Sequence, residues 1–150
     1  MKKVTFICII LSLLTSCVSS ISFTSEMKNN IEAKKVTIHV ENIYPMSGSV
    51  VMDASGYSLQ IKGDSVYSYL PYYGRAYQLP YGGGKGLTFN SIINKYAQKY
   101  DKKGLSEITL STKTDEDTYT FTITLSPTKS ASVYLQCNNR QPITYVGHWE

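Results

Sequence analysis

The sequence predicts an all-β fold, an antiparallel meander of about eight or nine short strands around one apolar interior. Three observations predict it. Apolar and polar residues alternate with a period of two through most of the chain beyond Lys35. Short polar turns join the alternating runs, and almost no stretch carries a convincing helical stripe.

Residues 18–30, VSSISFTSEMKNN, are polar and serine-rich and read as a tether, with at most a short helix before Lys35. Val36, Ile38 and Val40 then alternate with Thr37 and His39, and Tyr57, Leu59 and Ile61 alternate with Ser58, Gln60 and Lys62. Both read as half-buried strands. Gly63-Asp64 separates the second from Val66 to Leu70, and a glycine there can take the positive φ of a tight hairpin turn. Ser91 to Lys103 fits both periods: Ile92, Ile93, Tyr96 and Tyr100 form a helical stripe, while Tyr96, Gln98 and Tyr100 alternate. Flanking polar turns and the tyrosines favour a strand.

Leu105 to Lys113 precedes the clearest strand, Asp117 to Leu125. Here Tyr119, Phe121, Ile123 and Leu125 share one face and four threonines the other. Ala131 to Cys137 and Ile143 to Trp149 complete the series. A meander of this length exposes its edges unless it closes or folds over. A closed or partly closed, lipocalin-like barrel is therefore expected, with a β-sandwich as the alternative.

The N-terminus sets the expected address. Lys2 and Lys3 precede an apolar run from Val4 to Leu14 that is too short to span a bilayer comfortably, which reads as an export signal. Leu14-Thr15-Ser16-Cys17 resembles the lipobox of bacterial lipoproteins, which implies cleavage before Cys17 and acylation of it. The expected organisation is a signal peptide over 1–16, a lipidated cysteine and tether over 17–30, and a single domain over 31–150. Cys8 would leave with the signal and Cys17 would be acylated, so Cys137 becomes the one free thiol, expected to be buried. Loss of Lys2 and Lys3 leaves 13 basic residues against 11 acidic ones, a scattered balance that argues against nucleic acid as a partner.

Residues 69–86, YLPYYGRAYQLPYGGGKG, crowd five tyrosines, two prolines and five glycines around a single arginine. Pro71 and Pro80 hold Leu70 and Leu79 in extended geometry, and each proline ends or edges a strand. The tyrosines offer large faces with hydroxyl tips. Arg75, one of two arginines in the chain, can either saturate loop carbonyls and clasp the fold or meet an anionic or sugar-like ligand. Arg140, in the NNRQP turn, has the same two readings. Tyr72, Tyr73, Arg75, Tyr77, Tyr81 and Arg140 are therefore the candidate ligand-binding residues.

That stretch, with YSLQIKGDS before it and DTYTFTITLSP and NNRQPITYVG after it, resembles a family of exported Bacteroidetes proteins known as domain of unknown function 4251. The resemblance runs from about Ile31 to Trp149. It implies a β-rich, lipocalin-like fold and an exported address, and it implies no activity.

Other chemistry finds little support. Gly84-Lys85 lacks the glycine five residues earlier and the hydroxyl residue afterwards that a phosphate loop requires. His39 and His148, the two histidines, read as isolated and as either solvent-facing or hydrogen-bonded, with no third ligand for zinc and no signature for catalysis with Cys137. Asp115, Glu116 and Asp117 read as a solvated hairpin tip. The reading that results is an envelope lipoprotein without catalytic residues, metal or cofactor, anchored by lipid at the outer membrane and facing the periplasm. It would bind a small anionic or glycan ligand, or an envelope protein. The alternatives are a structural envelope module in which the loop only closes the barrel and, third, a hydrolase.

Overall fold

The computed structural model describes residues 21–78 and 86–150. The expected signal peptide over 1–16, Cys17 and Leu79 to Lys85, including Tyr81, lie outside the described residues. One helix, α1 (Ser25–Glu32), precedes eight strands: β1 (Lys35–Pro45), β2 (Ser58–Lys62), β3 (Ser65–Leu70), β4 (Leu87–Tyr100), β5 (Ser106–Lys113), β6 (Thr118–Leu125), β7 (Ser130–Cys137) and β8 (Ile143–Trp149). Each strand pairs antiparallel with the next, and β1 pairs with β8, so the sheet is a closed barrel. The sandwich alternative is excluded, and Ser91 to Tyr100 lies within the long strand β4.

Side-chain alternation accounts for the closure. Val36, Ile38 and Val40 of β1, Leu59 and Ile61 of β2, and Ile108 and Leu110 of β5 point inward and are buried. So do Tyr119, Phe121, Ile123 and Leu125 of β6, with Val133 and Leu135 of β7 opposite them. Eight strands enclose a space just wide enough for such side chains to fill, so the interior is a packed core. Gly63, at φ +58°, makes the expected turn between β2 and β3.

The described N-terminal segment departs from the expected tether. Thr24 caps α1 by accepting a hydrogen bond from the Met27 amide at 3.2 Å. Ile31 is fully buried, and Phe23 packs its ring 5.9 Å from Trp149 and 5.7 Å from Tyr100. The helix thus plugs the barrel end where β1 begins and β8 finishes. Its few apolar residues gave no stripe to read, because only the barrel supplies the surface they bury against. After the helix, Lys34 turns the chain at φ +53°, and its ammonium meets Asp64 at 2.6 Å and lies 4.9 Å from the centre of the Tyr96 ring. The hydrogen bond from Lys34 and then its charge hold the exposed Asp64 carboxyl below its ordinary range.

The β1–β8 seam carries a bulge between Val40 and Asn42, and Gly147 sits opposite it. A Cβ at Gly147 would overlap the His39 carbonyl oxygen and lie 3.1 Å from the Glu41 amide nitrogen. Both are backbone atoms that cannot swing aside. Gly147→Ala is therefore expected to destabilise the protein by about 2–4 kcal/mol, read as a lower thermal midpoint by circular dichroism.

Candidate ligand site at the barrel mouth

Antiparallel order places the β1–β2, β3–β4, β5–β6 and β7–β8 loops at one end of the barrel, away from α1. In a closed ring of eight strands, β3 and β7 stand on opposite sides. The β3–β4 loop nevertheless hydrogen-bonds the β7–β8 loop, so it crosses the mouth. The Tyr77 amide donates to Asn139 O at 2.7 Å, the Gln141 amide donates to Arg75 O at 3.0 Å, and Ala76 and Arg140 form an antiparallel bridge. Pro71 ends β3 as expected, and its carbonyl accepts the buried Tyr145 hydroxyl at 2.7 Å.

Residues 138–141 are the hub of this end. Gln141 Oε1 accepts from the Arg75 amide at 3.1 Å and from Ser47 Oγ at 3.2 Å, which brings in the β1–β2 loop. The Tyr72 hydroxyl lies within bonding distance of both Arg75 O, 2.9 Å, and Gln141 O, 3.1 Å. On the other flank the Asp117 carboxylate accepts the amides of Thr118 at 2.7 Å, Asn138 at 3.1 Å and Asn139 at 3.1 Å. Asp117 is buried, which corrects the expected solvated tip: it is the receptor for the neighbouring turn.

The two arginines have opposite surroundings. Arg140 is 5% exposed, its guanidinium carbon lies 5.5 Å from the centre of the Tyr72 ring, and Nη2 reaches Glu116 Oε2 at 3.5 Å. Its Nε has no hydrogen-bond partner among the described residues. Arg75 engages the hub only through its backbone; its side chain is exposed and has no partner among the described residues. Of the two arginines to which the sequence offered the role of clasp, Arg140 takes it together with Tyr72, while Tyr73, 43% exposed, and Tyr77, 61% exposed, flank Arg75 on the outer surface. At the same end of the barrel, a groove of about 400 Å³ between the start of β4 and the β5–β6 turn is lined by Phe89 stacked on Tyr119 at 4.5 Å.

Burial raises the Tyr72, Tyr119 and Tyr145 phenols above their ordinary range. It also pushes the Cys137 thiol up to about 12, with the Asp117 charge adding to the effect. Such a thiol stays protonated at neutral pH and is a poor nucleophile. His148, at the far end of β8 and outward-facing, does not meet it.

Residues 20–149 match the family described as "Domain of unknown function (DUF4251)". The chain belongs to the DUF4251 family. Its fold is similar to the crystal structure, at 1.95 Å resolution, of a DUF4251 family protein from Bacteroides eggerthii DSM 20697. The TM-score is 0.61 at 16% identity, over 81% of this chain and 83% of that one. No curated protein matches.

Asp117, read as part of a solvated tip, and Asn138, Asn139 and Gln141 of the NNRQP turn were not among the candidate site residues, although the Asn-Asn pair is a turn signal that could have directed attention to them. Asp117→Ala is expected to orphan three amides and cost about 2–4 kcal/mol, and Arg140→Ala about 1–3 kcal/mol, whereas Arg75→Ala should stay within about 0.5 kcal/mol of the parent by urea denaturation. Cys137 should react with a thiol reagent at neutral pH only after urea unfolds the chain.

Proposed function

We propose that this DUF4251 chain is a non-enzymatic envelope lipoprotein domain that binds an anionic ligand, of the acidic-glycan class, at the barrel mouth. Tyr73, Arg75 and Tyr77 are its contact residues. One observation carries the reading: the backbone of 72–78 is tied down by Tyr72, Asn139 and Gln141, while a guanidinium with no partner among the described residues and two tyrosine faces project from it. A loop held in place before the ligand arrives loses little conformational entropy on binding. A free guanidinium offers charge-assisted, two-pronged hydrogen bonds to a carboxylate or sulfate, and tyrosine faces pack against sugar rings. The packed barrel interior supports a ligand held on the rim.

The export signal and Cys17 complete the reading. Residues 21–24 enter at the α1 end, so an acyl chain on Cys17 would set that end toward the membrane and turn the mouth away from it. Among the described residues no helix is long and apolar enough to cross a membrane. A structural envelope module is the second reading, favoured by the work of Tyr72, Asp117 and Arg140 in closing the mouth.

The test is a panel of uronic-acid and sulfated oligosaccharides. Arg75→Ala with Tyr77→Ala should weaken binding at least tenfold at an unchanged thermal midpoint; binding by the parent to none of the panel would favour the structural module. Labelled palmitate should enter the parent and not Cys17→Ser. Rapid loss of the protein when whole cells are treated with protease would contradict a periplasm-facing anchor.

A further inference from the structure

The outer wall of the barrel holds a second constellation, remote from the mouth. His39 of β1 and His148 of β8 are register partners at the seam where the first and last strands meet. Their ring centroids are 5.1 Å apart, with planes inclined by 23°. Each ring also meets a carboxylate from the opposite strand's side of the seam. His39 Nε2 lies 3.1 Å from Glu150 Oε1, and His148 Nδ1 lies 2.8 Å from Glu41 Oε1. The four side chains run in a file across the seam: Glu150, His39, His148, Glu41. The histidines are thus a matched pair, which corrects the expectation that they are isolated.

An ionised carboxylate only accepts hydrogen bonds, so the ring nitrogen facing it must carry the proton. In neutral His39 the N–H is then at Nε2 and the lone pair at Nδ1. In neutral His148 the N–H is at Nδ1 and the lone pair at Nε2. A carboxylate placed this way orients an imidazole and raises the basicity of its free nitrogen, the usual support for a metal-ligating histidine. Two imidazoles on one tetrahedral ion, with metal–nitrogen bonds of about 2.0–2.1 Å, set their centroids about 5 Å apart. That separation already exists. The histidine side chains are 41% and 55% exposed and their carboxylates 67% and 56%, so each ring can turn about Cβ–Cγ with its carboxylate following to aim the lone pair, and water can reach the ion.

We propose that His39 Nδ1 and His148 Nε2 bind one divalent transition-metal ion of the zinc, copper or nickel class, with Glu150 and Glu41 as outer supports. Imidazole ligands favour these ions over magnesium or calcium, which prefer oxygen. Among the described residues no three metal-ligating side chains gather at one point, so the ion keeps open positions for water or for a donor from another molecule. Because β1 and β8 come from opposite ends of the domain, the ion would staple the seam and stabilise the closed barrel.

The experiment titrates the protein with zinc and, separately, with magnesium, reading heat of binding and thermal midpoint. Zinc should bind one to one and raise the midpoint by several degrees, and magnesium should do neither. His39→Gln and His148→Gln should each cost at least tenfold in affinity, and Glu41→Gln about tenfold. Should a variant fold poorly, copper added to the parent gives an independent readout: electron paramagnetic resonance should show two nitrogen ligands, and copper should broaden the His39 and His148 ring signals ahead of all others. Zinc affinity unchanged in His148→Gln, or copper broadening that leaves the two rings untouched, would overturn the proposal.

Discussion

When Ile38–Pro45 pairs with Ile143–Trp149, the meander loses both of its edges and becomes a ring. Every feature beyond local strand structure depends on that pairing. It encloses the inward face of each strand, including Phe121, Ile123 and Leu135, so that burial becomes nearly complete. It also sorts the loops into two ends. Without closure, α1 would have no rim to plug, and β3 would not stand opposite β7.

The two ends are stabilised by different physics. At the α1 end the cover over the interior is apolar, made by Ile31 and Phe23, with Trp149 Nε1 satisfied by Ser126 O at 2.9 Å and the Lys34–Asp64 pair on its outside. At the mouth they are polar and directional, a network of amides and side chains converging on 138–141. Hydrogen bonds fix a loop's conformation more narrowly than apolar contact does. The binding surface proposed for Tyr73, Arg75 and Tyr77 would need that narrowness, because affinity depends on side chains presented in one arrangement.

The arginines show why residue type does not settle role. Both sit in turn-rich segments, both lie near tyrosines, and either could clasp or display. What separates them is which turn faces inward once the loops meet. Arg140 follows the two asparagines whose amides Asp117 binds, and this draws its side chain under the Tyr72 ring. Arg75 offers only its backbone to Gln141, which leaves the side chain outside.

Period-two alternation in β1, β2, β5, β6 and β7, the Gly63 turn and the strand-ending Pro71 were all readable in order along the chain. Each is decided by residues within one or two positions of one another. The burial of Asp117, the cross-mouth clasp and the His39–His148 pair were not readable, because each joins residues far apart in the chain. Asp117 reaches Asn138, Tyr72 reaches Gln141, and the histidines come from the first and last strands. Local pattern determined most of the strands and their faces and bounded their number at eight or nine; which turns touch, which arginine is covered and which side chains share the seam were decided only when the sheet closed on itself.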